Sequence, residues 1–323
     1  MRLAVVLALV ALYPNFCFAI IGQVVVTEGG TPQLRTLVSD NLTNVVNALD
    51  SANMTAYRRA FTVEGYQAMT EIMQTVKLAN GQRTKITKLL TLPAGGWEVR
   101  DIKVKVDLGE TANNPDGVAN NPFQYLVFQL TPTGLIDDVR FAIEKPHWDQ
   151  IVAQGQKLND FARRQQILQT VEVFRTAYCR KDLAYLKKIY SDDALIIVGK
   201  VLKEKKGIPD MLASSKLGQG KIDFIKLSKH QYINSLQGVF NNNAFVKVVF
   251  DSVEIIRHNE DQDLYGVTLK QHWYSSSYSD TGWVFLLWDF KDEKNPMIYV
   301  RSWQPERFDD GSVVDVHEFI IAR

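Results

Sequence analysis

Apolar positions along the chain follow two different periods. Leu34, Val38, Leu42, Val45 and Leu49 step by three or four residues, as do Ile167, Val171, Phe174 and Tyr178. That spacing puts one apolar stripe on a helix. The pattern predicts a long helix over 158–179, a short one over 183–190 and a strand in DALIIVGKVL. A loop rich in Gly, Ser and Lys follows. Ser228-Lys229-His230-Gln231 then reads as a capping box opening a third helix that ends near Phe240. Beyond it the period changes to that of strands: AFVKVVFDSVEIIR (244–257), LYGVTLKQHWY (264–274), GWVFLLWDF (282–290) and MIYVRSWQ (297–304). Their connections HNEDQD, SSSYSDT and KDEKNP are polar and of hairpin length. Helices first and an antiparallel meander afterwards is an α+β layout, with helices on one face of a curved sheet.

An internal repeat organises these elements. ALDSANMTAYRRAFTVEGY (48–66) aligns without a gap on AYCRKDLAYLKKIYSDDAL (177–195). Asn53 and Asp182 are both expected N-caps. Met54, Tyr57 and Phe61, like Leu183, Leu186 and Tyr190, then share one helical face. Strands are expected after each copy, and their ends echo each other. IDDVRFAIE (136–144) matches MIYVRSWQP (297–305), with Arg140 opposite Arg301. Two matches in one order imply a duplicated unit. The boundary falls near Gly155, giving one unit over 20–155 and another over 156–323.

Composition adds a compartment. Arg2, the apolar run 3–12 and the small residues Cys17 and Ala19 form a secretory signal peptide, residues 1–19, cleaved after Ala19. The run is too short for a bilayer, which needs about 20 apolar residues. The mature chain is expected to be exported, periplasmic or extracellular, without membrane insertion. At about 300 residues it is long enough for two domains. Loss of Cys17 leaves Cys179 alone, excluding an internal disulfide, and its apolar helical setting reads as a buried small hydrophobe. Lys and Arg number 37 against 36 Asp and Glu. With no basic stripe, nucleic acid is not an expected partner.

The residues 174–201, FRTAYCRKDLAYLKKIYSDDALIIVGKV, with 265–308, resemble the nuclear transport factor 2-like superfamily, in particular an exported bacterial branch of unassigned role. The resemblance implies a cone: three helices close the concave side of a bent antiparallel sheet and leave a pocket at the wide end. It covers residues 160–308 well. The first unit matches through its helices and final strands, shows no third helix, and reads as a reduced copy. The superfamily holds isomerases, dehydratases, cyclases and non-catalytic binders, so it implies a shape and no single reaction.

Candidate chemistry follows from strand alternation. Tyr265, Val267, Leu269, Gln271 and Trp273 form the apolar row expected under the helices. Lys270 and His272 are expected on the solvated opposite face, a surface for a possible homodimer. Trp283, Phe285, Leu287 and Asp289 share a row, as do Tyr299, Arg301 and Trp303. The expected pocket is thus Tyr178, Gln271, Trp273, Trp283, Arg301 and Trp303. Catalytic candidates are weak. Asp289 reads first as a turn residue, Asp192 and Asp193 as local caps, and Arg301 as the partner of Asp289 in a structural ion pair. The five histidines have no metal spacing, and Asn259, Asp261 and Asp263 lack the glycine and glutamate of a calcium loop. No cofactor is expected. The resulting expectation is two tandem cone-like units, binding a small apolar ligand or a protein partner without catalysis. The alternative is an isomerase, dehydratase or cyclase with a carboxylate base in the second unit.

Overall fold

The computed structural model describes residues 22–51, 53–107, 122–155, 158–201 and 222–319. The expected signal peptide lies outside them. The first half runs β1 (Gln23–Glu28), α1 (Pro32–Ser51), a 3-10 helix (Met54–Ala60), α2 (Val63–Thr75), β2 (Lys77–Asn80), β3 (Thr84–Lys88), β4 (Leu90–Thr91), β5 (Trp97–Asp107), β6 (Phe123–Leu130) and β7 (Ile136–Phe141). After α3 (Lys145–Ala153) the second half runs α4 (Leu158–Arg180), α5 (Leu183–Ile189), β8 (Tyr190–Val201), β9 (Ile222–Ser228), α6 (Lys229–Asn242), β10 (Val246–Arg257), β11 (Leu264–Ser275), β12 (Ser279–Asp289) and β13 (Met297–Gln304).

Two curled sheets and a parallel β1–β3 pair carry the strands. The second sheet has the order β10-β11-β12-β13-β8-β9, antiparallel except for the parallel β13–β8 pair. The first has β2-β5-β6-β7, also antiparallel, with a parallel bridge from Phe61 to Ile136 beside β7. That bridge stands where Tyr190 meets Ile298 in the second sheet. Phe61 and Tyr190 are the residues that the sequence repeat aligns. The first sheet lacks a counterpart of the β8–β9 pair among the described residues.

Three details depart from the expectations drawn from sequence. The first repeat copy ends in a helix and not in a strand: α2 starts at Val63, after Thr62, whose hydroxyl accepts the Gly65 amide at 3.0 Å. This is the third helix that the pattern of the first unit hides. It lies directly on β7, so closely that a Cβ at Gly65 would collide with the Ile136 carbonyl oxygen. Asn53 makes no side-chain cap, and only a 3-10 helix follows it, whereas Asp182 accepts the Tyr185 amide at 2.9 Å. Strand β9 forms where the sequence pattern shows only loop, and β1 forms in a stretch to which the pattern assigns no element. β1 is held because Thr43 and Ser39, four apart on α1, accept the Val24 and Val26 amides at 2.9 Å, satisfying an edge that β3 does not cover.

Both sheets drain into one core, with α4 shared between them. Its inner side presents Phe174 to Phe250 and Trp288 of the second sheet. Its other side serves the first: the Thr176 hydroxyl accepts the Phe141 amide at 3.0 Å, and Glu172 accepts the Ile143 amide at 2.7 Å. Glu172 is completely buried and also meets Arg100 and Arg140, which in turn hold buried Glu98. Two carboxylates and two guanidinium groups thus close a neutral network at the junction, the condition for burying such charges. Arg175 adds bonds to Val248 and Ala142 carbonyls, one in each half.

Candidate functional site

The concave side of the second sheet is built as the alternation predicts. Tyr265, Val267 and Leu269 are buried, and Trp273 packs on the same core. Phe174 sits at the centre, with edge-to-face contacts to Tyr178 and Tyr190 at 5.0 and 6.1 Å. Above this aromatic floor lies a polar cluster. The Tyr178 hydroxyl lies 2.7 Å from that of Tyr232 and 3.2 Å from that of Tyr190. Tyr178 also stands edge-on to Trp273 at 5.8 Å. Arg301, opposite Leu286 on the inward row of β13, places its guanidinium 5.1 Å from the Tyr232 ring centre.

The electrostatics of this cluster are unusual. Arg301 is only 6% exposed, and no carboxylate among the described residues closes an ion pair with it. Its Nε has no hydrogen-bond partner. Burial alone would lower its pKa, but the phenols of Tyr232, Tyr178 and Tyr190 outweigh that and leave it raised. Burial, and then Tyr232, pushes the Tyr178 phenol up, and burial, then Tyr178 and Tyr232, pushes up that of Tyr190, so both stay neutral. Two hydrogen bonds run among the three hydroxyls, and a third hydroxyl proton is left over to donate. Together with the guanidinium, the cluster is rich in donors and short of acceptors.

One acid faces this region. Asp280 is the first inward residue of β12, ahead of Gly282, Val284, Leu286 and Trp288. Its Oδ2 accepts from Tyr278 at 2.8 Å and its Oδ1 is buried without a partner. Burial raises its pKa, against the opposing influences of the Tyr278 bond and Arg301.

Of the residues singled out from sequence, Tyr178, Trp273 and Arg301 meet in this cluster. Gln271 is buried on the Trp273 row, and Trp303 shares the Arg301 row and packs on the core. Trp283 does not belong: it lies on the convex face, under Arg307 at 4.1 Å. The whole odd row of β12 faces that way, because both faces of this strand are apolar and alternation alone does not choose between them. Val314, Val316 and Phe319 cover it, Phe319 stacking on Phe285 at 5.2 Å. Asp289, at the end of that row, caps the Lys291 amide at 2.8 Å, and no Arg301–Asp289 pair forms. Asp192 is 96% exposed and paired to Lys229, and Asp193 is exposed. His272 is a further correction. It is on the convex face but 1% exposed, held between Asp251 at 2.7 Å and Thr281 at 3.0 Å, so it is not a solvated surface residue.

Sequence reasoning misses Tyr190, Tyr232 and Asp280. Tyr190 looks like the end of a helix, yet it opens β8. Asp280 looks like turn, yet β12 begins at Ser279. Carrying the alternation back from Trp288 through Gly282 reaches it.

The second half thus has the cone architecture, three helices on a bent sheet, that the nuclear transport factor 2-like resemblance implies. No family model and no curated protein matches the chain. Among solved structures it is similar to Bdellovibrio bacteriovorus Bd1075, at 17% identity and TM-score 0.33, over 53% of this chain. It spans 46% of that protein's chain. It is also similar to an NTF2-like protein from Cytophaga hutchinsonii, at 16% identity and TM-score 0.31, covering 44% of this chain and 98% of that one. A third is naphthalene 1,2-dioxygenase with indole in its active site, at 8% identity and TM-score 0.37, covering 51% and 89%. No helix among the described residues is long and apolar enough to cross a membrane.

Proposed function

We propose that the second unit binds a small, mostly apolar ligand that carries one anionic or strongly accepting group, and that Arg301 with Tyr178 and Tyr232 receives that group. One observation carries this reading: a buried guanidinium that no carboxylate among the described residues contacts as an ion pair, set among phenols, with its Nε left without a partner. A buried cation costs several kcal/mol unless something pairs with it. A ligand carboxylate would supply the missing acceptor, and Trp273 and Trp303 would flank its apolar body. The test is calorimetric titration with benzoate-type carboxylates and their matched amides. The carboxylates should bind, and Arg301→Met should weaken them at least ~10-fold, the loss of one charge-assisted hydrogen bond. Equal binding of acid and amide, or indifference to the Arg301 change, defeats the reading.

Acid–base catalysis is the second reading, favoured by Asp280 and not by Asp289, Asp192 or Asp193. A carboxylate whose pKa burial has raised is a better base than a solvated one. Were it catalytic, activity on any turned-over ligand would fall away below the Asp280 pKa, and Asp280→Asn would abolish the reaction while leaving binding intact.

The same proposal includes export and duplication. Cleavage after Ala19 would give a secreted chain whose N-terminal residue is Ile20, which sequencing of the exported protein reads directly. The shared strand order of the two sheets, with Phe61 standing for Tyr190, supports two copies of one unit, the first reduced by the missing β8–β9 pair.

A further inference from the structure

A second candidate site lies outside the cone. A cavity of about 470 Å³ opens where the two halves meet. Its walls come from the β4–β5 turn, β6 and β7 on one side, and from α4, α5 and the β12–β13 turn on the other. Leu92, Val173 and Met297 give it an apolar lining. The volume is that of a pocket for a single small molecule, and unit junctions are a common place for one.

Its charge is one-sided. The charged lining groups are Arg140, Lys188 and Lys294, and no carboxylate is among them. Arg140 is already neutralised by Glu98 and Glu172. Of the acids close to this region, Asp138 is engaged with Arg180 at 3.5 Å and Glu293 with Arg163 at 2.7 Å. Exposed Asp292 accepts the Lys294 amide at 3.0 Å and the Asn295 side chain at 2.9 Å, without pairing to the Lys294 ammonium. Lys188 and Lys294 are exposed and form no ion pair among the described residues. The arrangement is an apolar chamber with a cationic rim.

We infer that this inter-unit cavity binds an aliphatic carboxylate, its chain lying against Val173, Leu92 and Met297 and its head group between Lys188 and Lys294. The apolar wall supplies affinity by burying methylene groups. The lysines supply the choice of sign. Val173 explains itself on this reading: it is an apolar residue on α4 left half-buried in the cavity instead of packed in the core.

The experiment is titration of the full protein at low salt with dodecanoate and, separately, dodecanol, both below micelle-forming concentrations. In the Arg301→Met background, which removes the cone's cation, dodecanoate should bind one to one, with dodecanol at least tenfold weaker. Reversing the rim with Lys188→Glu and Lys294→Glu should weaken dodecanoate tenfold or more and leave dodecanol unchanged. Val173→Trp, which fills the chamber, should abolish both. If that variant fails to fold, the exposed-lysine pair still decides. In the Arg301→Met protein the dependence of dodecanoate binding on the rim lysines should persist, which separates this cavity from the cone. Equal affinity for acid and alcohol, absence of binding, or binding moved by Arg301→Met and not by the rim would each overturn the inference.

Discussion

Lys247 shows how one residue can be read for its cost. It is buried on β10 near Arg175, and burial, with that like charge, lowers its pKa to about 8. In the unfolded chain it titrates near 10.5. The folded state therefore bears a penalty for the charged form at neutral pH. That penalty is relieved as the pH rises through 8 towards 10.5. Lys247→Met should accordingly raise stability at pH 7 by about 2 kcal/mol, with the difference shrinking above pH 8, as urea unfolding at several pH values would measure. No gain at pH 7 would mean that the ammonium is solvated in the folded protein. Cys179 gives a second expectation at this scale. Its thiol is buried and its pKa is pushed up by that burial. It should resist alkylation in the native protein and react on denaturation, which peptide mass spectrometry reads. The inert character of this cysteine is legible in its apolar helical neighbours. The burial of His272 is not, since it depends on Asp251 and Thr281 from flanking strands.

Among the elements, α6 is the one most plainly written in the amino-acid sequence. Ser228 and Gln231 form the reciprocal capping box, with the Gln231 amide to Ser228 at 3.2 Å and the Ser228 amide to Gln231 at 2.9 Å. Ser228→Ala should cost about 1 kcal/mol in chemical unfolding. A smaller effect would mean that water replaces the cap. The helices α4 and α5 and the strands β10 to β13 are likewise legible, because strong periodicity and turn chemistry agree there. The α2 helix is not. It begins inside a repeat copy, at Val63, where the aligned residues 192–195 of the partner copy are strand, so alignment argues against the local period of Gly65, Ala68, Met69 and Ile72. β12 fails differently. Its two faces are equally apolar, and only the C-terminal residues Val314 to Phe319 reveal that one faces away from the helices.

For the whole molecule, the decisive feature is a core continuous across both halves, tied by the Glu98–Arg100–Arg140–Glu172 network. Removing one member leaves the others as buried, unmatched charges. Glu172→Ala should therefore destabilise the protein by about 3–5 kcal/mol. Calorimetry should show one unfolding transition in the parent chain. Two separated transitions in the parent, or a Glu172 effect confined to one of them, would mean that the halves are independent.

The sequence by itself determined the helical and strand periods, the meander of the second half, and the inward row of β11. Each rests on a local repeat or on a short-range match, which the chain carries wherever it folds. The tertiary structure alone decided which face of β12 is concave, that Asp280 and not Asp289 is the inward acid, and that Arg301 meets three phenols instead of a carboxylate. It also decided that α4 serves two sheets and that a cavity opens beside it. Those outcomes depend on residues brought together from distant parts of the chain, and no local pattern encodes which distant surface a face will meet.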